Sequence, residues 1–567
     1  MKRKMNKRLG IFAIYDREGI LDRYIFYLLD SIVGYLDTLV IACNGNVKKE
    51  YIDRLRQYTD KIYLRENVGY DFGAYKETLL SQIEKADLEL FDELVLFNDT
   101  FFGPFYSFEN VFKKMEEHNY DFWGITKHPK YKKTNGDIVP EHVQSYFLVV
   151  DKRMFLDEEF MTFFESKRDP LSREETIRNF EIRFTEYFSR RGYKYGVLAD
   201  MSEYESNRFE NNGNFYMFMN YQLLSEMNSP IIKKKSFLSF EYNLSSVDMK
   251  KSMEYIEKHT NYDIDLIWEN ILRTNNISDI QNILQLRYCL EDSTYSNSID
   301  DTIFSDSIII VYTSHSNQII VKQFMKFLSV FLELIKVQIV VHSEQEEKLW
   351  REINNLKDIE FVYTSLDSSM EFLYKEAHYC FENYEFFCYL NLDVAMKTNN
   401  AIFSELENIN RVCDNLLSNK IFVKNVLGCF VNNQRLGLLA PTLPSDYQIS
   451  MYGKWYSNIE NIKTTAKNLE FDINKYIDHR KCSNVEPSCF WARTKALRCL
   501  EKLNIQSLGS YKGEEYVLEK VLIYLCQDFG FFSGIVENSS WAAVEINSLI
   551  RLLRKRELQW NQKLENS

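Results

Sequence analysis

The chain has 567 residues and a net charge of −13, with 45% hydrophobic and 27% charged residues. That length exceeds what one core organises and predicts two or three domains, and the composition excludes a disordered chain. The acidic balance argues against nucleic acid as a main partner, because a phosphate backbone requires clustered cations.

The opening Met1–Arg8 is basic and reads either as a solubilising tail or as a contact for an anionic membrane surface. Leu9–Asp16 follows as a strand rather than a signal-peptide core. Gly19–Gly34 is an amphipathic helix, Asp37–Asn44 a strand, Val47–Thr59 a helix and Lys61–Arg65 a strand. A loop carrying Asn67, Gly69, Asp71 and Gly73 then leads into a helix near Ala74. Glu93–Phe97 is an apolar run of buried-strand type that ends on Asn98-Asp99. Polar residues just after consecutive parallel strands lie where open α/β sheets bind ligands. Asp99 in that position suits Mg²⁺ or Mn²⁺, which one or two carboxylates hold together with substrate phosphates.

Phe108–His118 is helical, Asp121–Thr126 a strand, and His142–Val150 a strand that begins polar and becomes apolar. Glu174–Arg191 is a helix and Gly192–Leu198 a closing strand. Strand–helix alternation predicts a mostly parallel sheet. A helix-like segment over Asn220–Phe237, with helices over Ser245–Arg273 and Ile277–Leu290, reads as a bridge. Strands over Ser307–Tyr312, Val337–His342, Ile359–Tyr363 and Tyr384–Asp393 open a second α/β module, continued by Leu436–Pro441 and Glu486–Arg493. The predicted architecture is therefore α/β, with modules over 1–215 and 301–567 joined by a helical bridge over 216–300.

The second module repeats signals of the first in the same order. Asn98-Asp99 parallels Asn391-Leu-Asp393, Trp123–Thr126 parallels Leu436–Leu439, and His142–Phe155 parallels Glu486–Leu497. Glu181 precedes Gly192 by the same spacing as Glu519 precedes Gly530. The order indicates two modules of one architecture. No stretch approaches the roughly 20 apolar residues of a spanning helix. Ten scattered cysteines lack a CxxC pair and read as reduced thiols. A cytoplasmic protein, peripheral at the inner face of the membrane, is expected.

Asn67–Tyr75, Asn98–Pro104, Asp121–Thr126, His142–Phe147, Pro230–Lys233, Leu436–Pro441 and Phe490–Arg493 together resemble the rhamnan synthesis protein F family. The resemblance runs from about residue 10 to 537. It implies two GT-A-like modules and a glycosyltransferase that builds rhamnose-containing cell-surface polysaccharide. The implied donor is a nucleotide-sugar, typically dTDP-L-rhamnose, the acceptor a lipid-linked glycan, and the neighbours other polysaccharide-assembly enzymes. Tyr389–Met396 and Ser488-Cys489 depart from the family pattern, which leaves the second module as either a second transferase or a degenerate copy that grips the acceptor.

Glycosyl transfer requires a neutralised diphosphate, a fixed sugar and a deprotonated acceptor hydroxyl. The expected assignments are Asp99 for the metal, with Asn98 beside it, and Arg65 or Lys127 for a metal-free alternative. Asn67, Gly69 and Asp71 would line the donor pocket, with helix capping the competing reading of Asp71. Tyr15, Asp16 and Arg17 would face base and ribose unless they form an ordinary turn. His142, Gln144 and Ser145 would meet acceptor or donor sugar. Glu181 is the candidate base, against a solvated helix face, and Asp121 the runner-up. Lys233, with Lys234 and Lys235, would touch phosphate or belong to a charged loop. The competing class is a non-catalytic carbohydrate-binding scaffold.

Overall fold

The computed structural model describes residues 6–132, 136–168, 170, 172–204, 216, 218–238, 247–295, 299–314, 318–354, 359–393, 405–508 and 514–565. Two compact units divide the chain, Met1–Asn270 and Ile271–Ser567.

The first unit is built on β1 (Arg8–Tyr15), β2 (Thr38–Asn44), β3 (Ile62–Arg65), β4 (Glu93–Asn98), β5 (Phe122–Gly124), β6 (Phe147–Asp151) and β7 (Tyr195–Val197). They form a seven-stranded sheet in the order β3-β2-β1-β4-β6-β5-β7. All are parallel except β6, which runs against both neighbours. Buried runs such as Leu94-Val-Leu-Phe97 explain the continuous apolar reading, since a sheet covered on both faces needs no alternation. The expected strand over His142–Val150 is broken. His142–Val143 pairs with Lys127–His128 in a separate ribbon, and only Phe147 onward enters the main sheet.

The second unit contains β8 (Arg287–Leu290), β9 (Ser307–Tyr312), β10 (Lys336–Val341), β11 (Glu360–Tyr363), β12 (Phe386–Asn391), β13 (Leu436–Pro441), β14 (Phe490–Arg493) and β15 (Phe532–Asn538). Their order is β11-β10-β9-β12-β14-β13-β15-β8. Only β14 is antiparallel to its neighbours. Apart from β8, this is the topology of the first sheet strand for strand.

The stretch expected as a helical bridge gives a strand to each unit. Ile232–Lys233 pairs with Phe101–Phe102, and Arg287–Leu290 lies on the edge of the second sheet. The sequence expectation for the latter is a helix. Its exposed–half-buried alternation is that of an edge strand, too short for periodicity to identify.

Candidate active site

Three segments bring polar groups to the carboxyl edge of the first sheet. β1 ends at the half-exposed Tyr15, and the next residue, Asp16, accepts backbone hydrogen bonds from Glu18 (2.8 Å) and Ile20 (3.1 Å). β4 ends at buried Asn98, whose Oδ1 accepts from the Thr100 hydroxyl at 2.7 Å. Asp99 follows, 8% exposed. Its carboxylate lies 3.5 Å from the Lys234 ammonium, and its carbonyl accepts from the Tyr24 hydroxyl at 3.1 Å. Burial raises the Asp99 carboxyl above the usual range, Lys234 opposes that, and the charge of Asp16 adds to it.

The segment after β3 differs from the expected loop. Gly69, at φ +76°, stands at the N-cap and the helix begins at Tyr70, so Asp71 and Gly73 lie in its first turn. Only glycine fits at 73, where a Cβ would come within 2.3 Å of the Val68 carbonyl. The buried Oδ1 of Asn67 makes no hydrogen bond to the protein. An acceptor buried without a donor is costly. Arg65 is fixed in the frame of this segment by Glu77 (2.8 Å), the Val68 carbonyl (2.8 Å) and Asn44. Lys127 is likewise committed, to Glu141 (3.0 Å) and Asp200 (3.2 Å). Neither cation proposed for a metal-free mechanism is presented as a phosphate contact.

Aromatic packing sets the next pair of residues. Phe72 lies 3.9 Å from Phe180 and 5.0 Å from Phe164, within a cluster that includes Phe163, Phe184 and Phe188. Burying each such ring contributes about 1.5–3 kcal/mol. The Phe72–Phe180 contact holds their neighbours Asp71 and Glu181 close enough for the charges to interact. Asp71 accepts from Asn98 Nδ2 at 2.6 Å and from the Phe72 amide at 3.0 Å. Burial, with the repulsion of Glu181, pushes its carboxyl up to about 6. Glu181 sits in a π-helical turn, Ile177–Ile182, and accepts from the Ser145 amide at 3.2 Å. Such turns recur at functional sites because the extra residue redirects side chains.

Gln144 accepts from Thr126 at 2.8 Å and is inward-facing, as is His142, which stacks on His128 with ring centres 5.1 Å apart. Burial pulls the His128 imidazole down to about 4. Lys233 Nζ lies 4.7 Å from the Tyr146 ring.

The structure therefore gathers Asp71, Asn98, Asp99, Ser145, Glu181 and Lys233, with Asp16 and Asn67 alongside. It does not bring Asp121 to them. That residue precedes β5 at the opposite sheet edge, roughly 17–20 Å along the strands, where it accepts from the Lys194 amide at 2.8 Å and pairs with Arg153 at 3.3 Å. Sequence reasoning missed Tyr24, His128 and Tyr146, which lie in ordinary apolar or aromatic contexts. Lys234 was expected, with Lys233 and Lys235, as a phosphate contact or part of a charged loop, and its pairing with Asp99 was not foreseen.

Among the described residues no group of three or more His, Cys, Asp and Glu could cage a metal ion. Asp99 with Asp16 nearby fits the open kind of Mg²⁺ or Mn²⁺ site, in which substrate phosphates complete the coordination.

The second module repeats part of this edge. Asn391 donates to Glu515 at 3.2 Å, and Asp393 accepts from the Ser314 amide at 3.0 Å. Ser488 donates to Glu519 at 2.6 Å. Ser145 and Ser488 each lie two residues before the start of the antiparallel strand, so the serine–glutamate contact is kept in both copies. Burial, with Glu486, pushes Glu519 up to about 7. Asn67–Gly73 has no counterpart in sequence there.

Fold and sheet edge together define the class: an α/β protein of two modules of one sheet topology, with clustered carboxylates at the carboxyl edge of the first sheet. The family model described as rhamnan synthesis protein F matches residues 39–531, and the chain belongs to that family. Virulence protein VirA of Vibrio anguillarum is 30% identical over 208 residues, 35% of this chain and 62% of that protein. An uncharacterized protein of Sinorhizobium fredii is 26% identical over 192 residues, 34% and 48% of the two chains. The matches thus span about half to three-fifths of these relatives. Among solved structures, the glycosyltransferase GlyE of Streptococcus pneumoniae aligns at a TM-score of 0.25 and 12% identity, covering 68% of this chain and 86% of that one. The mannosyltransferase Ktr4p of S. cerevisiae aligns at 0.22 and 11%, covering 48% and 73%. Likeness at that level carries no functional argument.

Proposed function

We propose that the first module transfers rhamnose, or a similar deoxysugar, from a nucleotide-sugar donor to a lipid-linked glycan acceptor with inversion at the anomeric carbon. The observation that carries this reading is the convergence of Asp71, Asp99 and Glu181, from three separate elements, on the sheet edge that also holds Lys233 and Lys234. dTDP-rhamnose is the donor that the family suggests.

In this reading Glu181, oriented by the Ser145 amide, takes the proton of the acceptor hydroxyl. The acceptor oxygen then bonds to the anomeric carbon as the bond to the diphosphate breaks, and the leaving group departs with the electron pair. Lys233 and Lys234 face the developing phosphate charge. Asp99, with Asp16, would hold Mg²⁺ or Mn²⁺, which supplies further neutralisation of the diphosphate. Asn67 and Gly69 line the donor pocket. Asp71, whose carboxyl burial and the charge of Glu181 push up to about 6, lies beside that base on the same edge. The second module, lacking the Asn67–Gly73 segment, is proposed to grip the acceptor.

The test is thermal shift and binding with dTDP, UDP and GDP, with and without Mn²⁺, on the wild type and Asp99→Ala. A ligand that binds only the folded chain raises Tm. Metal-dependent stabilisation by one nucleotide, lost in Asp99→Ala, is expected. No response to any nucleotide would sink the transferase reading in favour of a carbohydrate-binding scaffold.

A further inference from the structure

The second unit ends in a helix, Ser539–Glu565, whose two halves differ in environment. Its first turns are anchored: Trp541 Nε1 donates to Asp414 at 3.0 Å, and Glu545 is 6% exposed. From Ile546 the helix turns an apolar row to the outside. Ile546, Ile550 and Leu553 are 59%, 42% and 63% exposed. They recur at i, i+4 and i+7, the spacing of one helical face. Leaving such a row in water is unfavourable, so an exposed row calls for an occupant.

The charge beside the row identifies that occupant. Arg554 follows Ile550 by four positions and Arg556 follows Leu553 by three, so the two cations border the row on opposite sides. Arg551 and Lys555 add two more, against the lone carboxylate of Glu557 between Ile546 and Leu558. All five charged side chains are exposed. This is a net +3 segment in a chain of net charge −13. A second copy pressed onto the same face would set arginine against arginine. An anionic lipid surface instead accepts the apolar row at the acyl boundary while the bordering arginines reach headgroup phosphates. The described helices include none long and apolar enough to cross a membrane, so a helix lying in the plane of the surface is the geometry that fits.

We propose that the face carrying Ile546, Ile550, Leu553, Arg554 and Arg556 docks the protein onto an anionic membrane surface. This assignment is independent of the transferase reading. It is tested by co-sedimentation of the full chain with vesicles of phosphatidylcholine alone or with about one-third phosphatidylglycerol, at low and high salt. Two double variants accompany the wild type, Ile550→Ser with Leu553→Ser, and Arg554→Glu with Arg556→Glu. Their exposed positions leave folding intact, which circular dichroism checks. The wild type is expected to partition at least tenfold more strongly onto the anionic vesicles and to lose most of that in high salt. Both variants should fall to the level seen with phosphatidylcholine. Equal binding to both vesicle types, or full binding by either variant, would overturn the proposal. So would a concentration-dependent dimer abolished by Ile550→Ser with Leu553→Ser in a chain that ignores vesicles, because the face would then belong to a second copy.

Discussion

Replacing Asp71 by asparagine should change stability with a sign that depends on pH. Burial and the charge of Glu181 raise the Asp71 carboxyl from an ordinary 3.8 to about 6. At 1.36 kcal/mol per tenfold step, ionising it in the folded chain at pH 7.5 costs about 3 kcal/mol relative to the unfolded chain. A folded value above the unfolded one means stability is greatest below about pH 4. It is lost progressively as pH rises through about 6. The asparagine side chain carries no such cost but can accept only one of the hydrogen bonds now made by Phe72 and Asn98, a loss of about 1 kcal/mol. The net gain at pH 7.5 is about 2 kcal/mol, or roughly 4–8 °C for a unit of this size. Near pH 4 the variant should be about 1 kcal/mol less stable than the wild type. Differential scanning calorimetry of both proteins from pH 4 to 8 reads this crossover, and repeating it in Glu181→Gln should shrink the gain at pH 7.5, because the Asp71 carboxyl is then raised less. A Tm difference that stays flat across that range would refute the claim that the two carboxyls share a buried field.

Two further perturbations probe the frame of the site. Gly73→Ala in a helix would ordinarily stabilise by up to about 1 kcal/mol, but the new Cβ meets the Val68 carbonyl. A loss of about 1–3 kcal/mol in chemical denaturation is expected, and a gain would show that the close approach is not real. Arg8 is buried between Glu93 and Glu116, each at 2.6 Å. Arg8→Met should cost about 3–5 kcal/mol at pH 7.5 by stranding buried Glu93. The cost should shrink near pH 4.5, where that carboxylate can take a proton, and a pH-independent loss would point to packing alone.

Much of the fold was legible because buried parallel strands are written as unbroken apolar runs. Glu93–Asn98 and Ser307–Tyr312 sit where Val, Leu, Ile and Phe predicted them. The duplication was legible for the same reason: Asn98 and Asn391, and Glu181 and Glu519, keep their order and spacing relative to those runs. Short edge elements were not. Arg287–Leu290 was read as helix, and the pairing of Ile232–Lys233 with Phe101–Phe102 was unforeseen, because two to four residues carry no period.

By itself the sequence determined the α/β class, the two modules, and Asn98-Asp99 as the end of a central strand. Only the tertiary structure decided which other groups share that edge. Asp71 meets Glu181 because Phe72 packs on Phe180, a contact between residues more than a hundred positions apart. Lys234 reaches Asp99 because a two-residue strand pairs beside it. Asp121 is carried to the opposite edge by the direction of β5. Local pattern records which face of a strand or helix is buried. Proximity across the fold arises from side-chain packing and strand direction, which no local stretch encodes.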